Sequence, residues 1–196
     1  MPTKENLASV RIFKFDPAID KAPRYETFKV PYEGRTVLNV LETVYRDFDR
    51  ELAFRYGCEG KHDSRCGACA VELNGVPALA CRKISEKEMV IGPHPKFEIL
   101  KDLVVNFNEV KKDTPKKAPS VKISIDPEKC IKCADCVDIC PVGVYEAKKG
   151  EIGVSGAEFC CGDSCHQCVT FCQTGAITVA DANKLIAWKS SKPENA

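Results

Sequence analysis

Thirteen cysteines among 196 residues constrain this chain more than any other feature of its sequence. They form three groups: Cys58, Cys66, Cys69 and Cys81; Cys130, Cys133, Cys136 and Cys140; and Cys160, Cys161, Cys165, Cys168 and Cys172. A reducing compartment disfavours structural disulfides, so cysteines at short, repeated spacings are expected to bind metal. The sequence therefore predicts a fold whose local geometry is organised around groups of thiolates.

The rest of the composition is that of a globular protein, with 44% hydrophobic and 29% charged residues. A formal net charge of +1 does not indicate binding to nucleic acid or to a membrane surface. The N-terminus lacks an apolar signal core and no stretch is long enough to span a membrane, so we expect a soluble, cytoplasmic protein. A chain of this length accommodates two small domains rather than a large catalytic fold.

A lysine- and proline-rich stretch, residues 107–120, predicts a linker between two domains. The first domain then covers residues 1–106, the second covers 121–181, and 182–196 form a polar tail. The alternative is a single domain in which the lysine-rich stretch is a solvated loop.

Local patterns predict the elements of the first domain. Apolar residues alternate over 9–15 and 25–32, which indicates two strands. After a Thr36 cap, apolar residues recur at helical spacing: Val37, Val40, Leu41, Val44 and Phe48. The dipeptide Asn74-Gly75 predicts a hairpin that brings Cys69 and Cys81 to the same end.

Several segments of this domain carry a family resemblance. LAFRYGCEG, CGACAVELNG, ALACR and FEILKDLVV, in this order, resemble the N-terminal domain of the iron–sulfur subunit of succinate dehydrogenase and fumarate reductase. The resemblance covers about residues 8–106 and implies a β-grasp, 2Fe–2S ferredoxin-like domain. It also implies that one cluster is bound by four cysteines: Cys58, Cys66, Cys69 and Cys81.

The first cysteine loop departs from the usual pattern. Seven residues separate Cys58 from Cys66, whereas the plant-type 2Fe–2S spacing has four. The wider loop leaves two alternatives open: the 2Fe–2S cluster of the family, or a 4Fe–4S cluster. His62 and Asp63 lie in this loop and can in principle replace a thiolate, but four cysteines already suffice, so we expect His62 to face solvent.

The second group, CIKCADCVDICP, has the C-x2-C-x2-C-x3-C-P spacing of bacterial ferredoxins. It is flanked by VKISIDPEKC and TGAITVAD, which are similar to the short edge strands of a ferredoxin module. Zinc fits this pattern poorly, because a structural zinc site needs two cysteine pairs per ion. The resemblance covers about residues 121–181 and implies a bacterial-ferredoxin-like domain with two 4Fe–4S clusters.

Two-cluster ferredoxins exchange their fourth ligands between the clusters. Carried over to this chain, the exchange assigns one cluster to Cys130, Cys133, Cys136 and Cys172. It assigns the other to Cys140, Cys165, Cys168 and one further cysteine, either Cys160 or Cys161. The remaining cysteine is then a buried thiol or a hydrogen-bond donor to cluster sulfur. The third group also has Gln173 where the ferredoxin pattern has proline.

The predicted fold class is α+β, a β-grasp domain followed by a ferredoxin domain. Fully ligated clusters leave no open iron, and we find no nucleophile–base pair or phosphate loop, so we expect no catalysis by the chain alone. His94 and His166 are expected to be structural or exposed, and Trp188 to be a packing or interface residue.

We therefore expect an electron-transfer subunit of an anaerobic oxidoreductase, with a large catalytic partner and a further electron-donor protein. The family resemblance implies a flavin in that partner. The fused ferredoxin module instead resembles the small subunit of class II benzoyl-CoA reductase, which implies a tungstopterin. The segments KLIAWK and FEILKDLVV are candidates for an apolar partner face. The alternative functions are a freestanding ferredoxin-like carrier and, with no output element to support it, a redox sensor.

Overall fold

The computed structural model of the chain describes residues 7–57, 66–114 and 118–181. Cys58, His62, Asp63, Trp188 and the segment KLIAWK lie outside these ranges. Within the described residues, no helix is long and apolar enough to cross a membrane.

The N-terminal domain is built on one mixed sheet. Its strands are β1 (Leu7–Lys14), β2 (Arg24–Pro31), β3 (Ala70–Leu73), β4 (Val76–Leu79) and β5 (Glu88–Pro93). They lie in the order β2-β1-β5-β3-β4, with β1 and β5 parallel and the other pairs antiparallel. The predicted strands and the Asn-Gly hairpin are therefore confirmed, and the parallel central pair is the arrangement expected of a β-grasp domain.

Helix α1 (Val37–Asp47) covers one face of this sheet. Thr36 caps it as predicted: its hydroxyl accepts the Asn39 amide, and the Asn39 side chain accepts the Thr36 amide. The apolar stripe of the helix is buried, but the prediction was wrong for Phe48. That residue is the C-cap, and its ring is 56% exposed and packs edge-on against Phe28.

A hairpin of β6 (Phe97–Lys101) and β7 (Val104–Val110) completes the domain. β7 continues past the predicted boundary at residue 107, because the Phe107 ring packs against Phe97 with centroids 4.9 Å apart. The expectation that FEILKDLVV presents an apolar face is also wrong for most of the segment. Phe97, Leu103 and Val105 are buried in the core, and Leu100 is exposed.

A buried charge network connects three parts of the domain. The Lys14 ammonium donates to Asp49 at 2.8 Å and to Asp102 at 2.9 Å. Asp102 also accepts the backbone amides of Phe15 and Ala53. The network fixes the segment that leads from α1 towards the first cysteine loop.

The C-terminal domain consists of short elements around the remaining cysteines. They are β8 (Val121–Ile125), α2 (Asp135–Ile139), β9 (Tyr145–Lys148), β10 (Glu151–Val154), α3 (Gln167–Phe171) and β11 (Ile177–Asp181). β8 pairs with β11, as the flanking sequences predict, and β9 pairs with β10. The two helices follow equivalent cysteines, and each is entered through a left-handed residue, Ala134 or His166. The domain is thus an internal repeat.

The two domains pack directly against each other. Buried Ser164 accepts the Leu79 amide through its hydroxyl at 2.9 Å. Gly67 lies against Pro141 so closely that a Cβ on Gly67 would stand 2.1 Å from the Pro141 Cβ. Both contacts involve residues next to cysteines, so the domain interface is also where cysteine groups of the two domains approach each other.

Candidate iron–sulfur sites

The N-terminal site comprises Cys66, Cys69 and Cys81, with Cys58 outside the described residues. Cys69 precedes β3 and Cys81 follows β4, and the pairing of Ala70 with Leu79 brings their sulfurs into hydrogen-bond contact. That contact, together with nearby backbone amides, lowers the pKa of Cys69 to about 6 despite its burial. The hairpin thus places two thiols at one end, as predicted, and one of them ionises readily.

The outer site is the cavity lined by four cysteines of the C-terminal domain: Cys130, Cys133, Cys136 and Cys172. Ile125, Ile152 and Ile177 supply apolar walls. Cys133 is exposed, and Ile131 beside it is 61% exposed. The four cysteines that the ferredoxin resemblance groups together therefore do lie around one cavity, and that cavity is close to the surface.

The inner site is the second cavity, lined by five cysteines: Cys140, Cys160, Cys161, Cys165 and Cys168. Burial raises the pKa of Cys165 and Cys168, and it raises that of Cys160 to about 12. Thiols with raised pKa values do not ionise at neutral pH without a compensating cation, so this cavity requires positive charge to hold thiolates.

Cys160 and Cys161 occupy different surroundings. The Cys160 sulfur accepts the Gly162 amide at 3.5 Å, and the thiols whose charges act on it are Cys168, Cys140 and Cys165. Cys161 is 3% exposed, and the thiols that act on it include Cys69 of the N-terminal site. Both thiols therefore line the inner cavity, and Cys161 is in addition close enough to the N-terminal site for Cys69 to act on it.

Backbone and side-chain donors already point at several of these sulfurs. The Val144 amide donates to Cys140 at 3.3 Å, and the equivalent Ala176 amide donates to Cys172 at 3.2 Å. The inner site has an additional donor, because the buried Tyr145 hydroxyl donates to Cys168 at 3.1 Å. Donors of this kind stabilise sulfur that carries negative charge.

Side chains of the N-terminal domain lie near the inner site, among them His94 and Lys96. His94 is fully buried: its Nδ1 accepts the Lys96 amide at 3.4 Å, so its Nε2 carries the proton and donates to the Phe159 carbonyl at 3.3 Å. Burial lowers the pKa of His94 to about 4, so the ring is neutral. Lys96 reaches over to the carbonyls of Val142 and Gly143.

These donor sets fit iron–sulfur clusters. Within the described residues, no group of three or more His, Cys, Asp or Glu side chains is arranged to hold a single metal ion. The cysteines of the inner and outer sites instead surround cavities, as the ligands of a multi-iron cage do. Gln167 lines the inner cavity, and its Oε1 has no hydrogen-bond partner among the described residues. Rotation of its side-chain amide by 180° exchanges the oxygen for the NH2 group, which can donate hydrogen bonds to cluster sulfide.

Sequence reasoning missed the residues that surround the inner site, namely Tyr145, Ser164 and Lys96. It expected His94 to be structural or exposed, and the ring is fully buried. The repeat itself predicts the inner cysteines but does not decide which cysteine is the fourth. Displacing the second cysteine group along the chain brings Cys133, Cys136 and Cys140 onto Cys165, Cys168 and Cys172, but brings Cys130 onto Gly162.

The fold and the grouped cysteines define an iron–sulfur protein of α+β class, with a 2Fe–2S ferredoxin-like domain followed by a 4Fe–4S ferredoxin-like region. The chain belongs to the family of the 2Fe-2S iron-sulfur cluster binding domain, whose model matches residues 9–112. A 4Fe-4S binding domain model matches residues 122–145.

Relatives by sequence confirm the predicted resemblance to iron–sulfur subunits of the succinate dehydrogenase and fumarate reductase type. One subunit of the fumarate reductase (CoM/CoB) of Methanothermobacter marburgensis is 28% identical over 85% of this chain and 41% of the relative. The fumarate reductase iron-sulfur subunit of Wolinella succinogenes is 26% identical over 76% of this chain and 72% of the relative. The chain spans less than half the length of the first curated relatives that it matches.

Among solved structures, a chain of the Mycobacterium smegmatis Sdh1 complex in the apo form is similar to this one, with 22% identity and a TM-score of 0.45. The match covers 67% of this chain and 56% of that chain.

Proposed function

We propose that this chain is the iron–sulfur electron-transfer subunit of an oxidoreductase complex and that it relays single electrons through three clusters. The observation that carries the proposal is the contact between Gly67 and Pro141, because it brings the N-terminal and inner cysteine groups together at the domain interface. Iron–sulfur clusters supply one-electron transfer when bound, and the protein sets their potentials through hydrogen bonds, charge and burial.

For the outer and inner sites, the proposed ligands are cysteines that line the corresponding cavity. Cys130, Cys133, Cys136 and Cys172 hold a 4Fe–4S cluster at the outer site. Cys140, Cys165, Cys168 and Cys160 hold another at the inner site; Cys160 is the proposed fourth ligand because its sulfur accepts the Gly162 amide and the charges of the other three act on its thiol. Cys58, Cys66, Cys69 and Cys81 hold the third cluster, which the family match favours as 2Fe–2S.

The positions of the sites suggest the order of the relay. The inner site adjoins the N-terminal site, with Arg82 next to Cys81 donating to the Cys165 carbonyl at 3.5 Å. The outer site lies beside the inner one, since α2 and α3 contact each other, and it reaches the surface at Cys133. We propose that electrons are exchanged with another protein at Cys133 and pass through the inner site to the N-terminal site.

The catalytic partner is proposed to be a fumarate reductase-like flavoprotein. Relatives named as fumarate reductase subunits support this choice over a tungstopterin enzyme such as class II benzoyl-CoA reductase. Purification of the chain from its native cells tests the proposal, because a flavin-containing large subunit should co-purify with it. A tungsten-containing partner would favour the benzoyl-CoA reductase comparison, and a monomer with no partner would favour the freestanding carrier.

The metal content tests the three-cluster relay. Anaerobically prepared protein should hold about 10–12 irons per chain, with inorganic sulfide in comparable amount. Replacing Cys136→Ser and Cys168→Ser separately should disturb the outer and inner clusters one at a time, as resolved by EPR of the reduced protein. An iron count of four or eight contradicts the relay, because at least one site would then be empty.

The choice of Cys160 is tested by a matched pair of variants. Cys160→Ser should disturb the inner cluster, whereas Cys161→Ser should leave the iron count and the inner EPR signal unchanged. The reverse result would transfer the ligand role to Cys161.

A further inference from the structure

A half-buried cation near the inner site comes from the other domain. Lys96 lies in the turn between β5 and β6, and its half-buried ammonium donates to the Val142 carbonyl at 2.5 Å and the Gly143 carbonyl at 3.0 Å. These carbonyls follow Cys140 by two and three residues. The contact joins residues 46 apart in sequence and crosses the domain interface.

Packing holds the ammonium in this position. It lies 5.4 Å from the centre of the Phe159 ring and 5.6 Å from that of Phe97. The Phe159 carbonyl in turn accepts the proton of His94 Nε2, so the same turn of the N-terminal domain holds the segment before Cys160. The two segments that carry Cys140 and Cys160 are therefore fixed by one turn, with a positive charge between them.

The outer site has no such charge among the described residues. Its closest counterpart is Lys132, two residues after Cys130, and that side chain is exposed and paired with Glu151 at 2.5 Å. Solvent and the paired carboxylate screen an exposed ammonium, whereas a half-buried one held against aromatic rings is screened much less.

We propose that Lys96 is a positioning residue of the N-terminal domain whose charge makes the inner cluster easier to reduce than the outer cluster. The inference rests on the proposed function, because it assumes that clusters occupy both cavities. A reduced cluster carries one more negative charge than an oxidised one, so a fixed ammonium beside Cys140 stabilises the reduced state. The electron-transfer role of the inner site would then depend on correct docking of the two domains.

The experiment is an EPR-monitored redox titration of the full chain, prepared without oxygen and held at one pH. Lys96→Gln keeps a donor for the Val142 and Gly143 carbonyls but removes the charge, and Lys96→Arg keeps the charge. Lys132→Gln is the matched control at the outer site. The inner signal is assigned as the one altered by Cys165→Ser.

In Lys96→Gln, the equilibrium constant for electron transfer from the reduced outer cluster to the oxidised inner cluster should fall about tenfold. That fall corresponds to about 59 mV for a one-electron couple. Lys96→Arg should preserve the wild-type partition, and Lys132→Gln should change it less than about threefold.

Four results would overturn the proposal or what it rests on. An unchanged partition in Lys96→Gln overturns the role of the charge. An equal fall in Lys96→Arg, or loss of the inner cluster's iron in Lys96→Gln, assigns Lys96 a purely structural role and overturns it as well. Absence of iron and sulfide from the wild-type protein overturns the proposed function itself, which the metal content distinguishes from the other three.

Discussion

The inner and outer sites are two halves of one repeat, yet their surroundings differ. Each has a short helix entered through a left-handed residue, and each has a backbone amide that donates to a cysteine four residues before it. The outer site reaches solvent at Cys133, whereas the inner site is covered by the N-terminal domain. Local sequence thus builds both cysteine cages, and domain packing decides which of them is buried.

This difference shows where control of the relay lies. Potentials of iron–sulfur clusters depend on burial, on hydrogen bonds to sulfur and on nearby charge. At the inner site, all three come partly from residues that are not proposed ligands: Tyr145, Ser164 and Lys96. The outer site depends mainly on its own loop, so changes at the domain interface should affect the two sites unequally.

The largest effect is expected from Gly67→Ala. Gly67 has φ +64° and its Cβ would stand 2.1 Å from the Pro141 Cβ, so the variant meets both backbone strain and a clash. We expect a loss of about 3 kcal/mol or more in the free energy of unfolding, together with disturbance of the N-terminal and inner EPR signals but not of the outer one. The measurement is anaerobic denaturant unfolding with EPR of the folded protein.

Gly75→Ala is the matched control. It has φ +82° and open space around its Cβ position, so it carries only the conformational cost of about 1 kcal/mol. Equal destabilisation by the two variants would mean that the contact between Gly67 and Pro141 contributes nothing to domain packing.

The second prediction concerns acid stability of the interface. The folded pKa of His94 is about 4, below the usual 6.5, because the ring is buried. The unfolded chain therefore binds this proton first: the stabilisation is complete above pH 6.5 and is lost as the pH falls towards 4. The full shift corresponds to about 3 kcal/mol, which should appear as a difference in pH slope between wild type and His94→Gln in anaerobic thermal unfolding. Parallel slopes would exclude His94 as the titrating group.

A smaller effect is expected from Ser164→Ala. The variant leaves the Leu79 amide buried without its acceptor, and it also removes the hydroxyl that donates to the Cys161 carbonyl at 2.7 Å. An unsatisfied buried amide costs about 1–3 kcal/mol, so unfolding should become easier by that amount. Thr170→Ala removes a similar hydroxyl bond on the exposed face of α3 and should change stability by less than about 0.5 kcal/mol. An equal loss of stability in the two variants would show that burial at the interface does not increase the contribution of the hydrogen bond to stability.

Elements that depend only on residues close together in the sequence were predictable. Asn74-Gly75 specifies its hairpin and Thr36 its helix cap, because both act over a few residues. Phe48 was not predictable, since a helical pattern does not reveal where tertiary contacts end the helix. The pair Cys160 and Cys161 stayed ambiguous because Gly162 occupies the repeat position that a cysteine would fill.

Contacts between the domains were beyond the reach of sequence patterns. The amide of Leu79 and the hydroxyl of Ser164 are 85 residues apart in the chain, and no local sequence pattern connects them. Lys96 is likewise one of 29 basic residues in the composition until the fold places it beside Val142. Cysteine spacing therefore predicts where metal binds, but the surroundings that tune it follow from tertiary packing.

The smallest effect, and the sharpest comparison of the two sites, is expected from Tyr145→Phe. The variant removes the O–H donor to Cys168 with little change in ring packing. The sulfur then keeps more negative charge, the reduced state is less stabilised, and the inner potential should fall by about 40 mV if the hydrogen bond contributes about 1 kcal/mol.

The corresponding change at the outer site is Thr174→Val, whose hydroxyl lies 3.8 Å from the Cys172 sulfur and is exposed. Because that contact is long and open to water, the outer potential should move by less than about 15 mV. A larger shift for Thr174→Val than for Tyr145→Phe would reverse the comparison, since hydrogen bonding would then tune the surface site more strongly than the buried one.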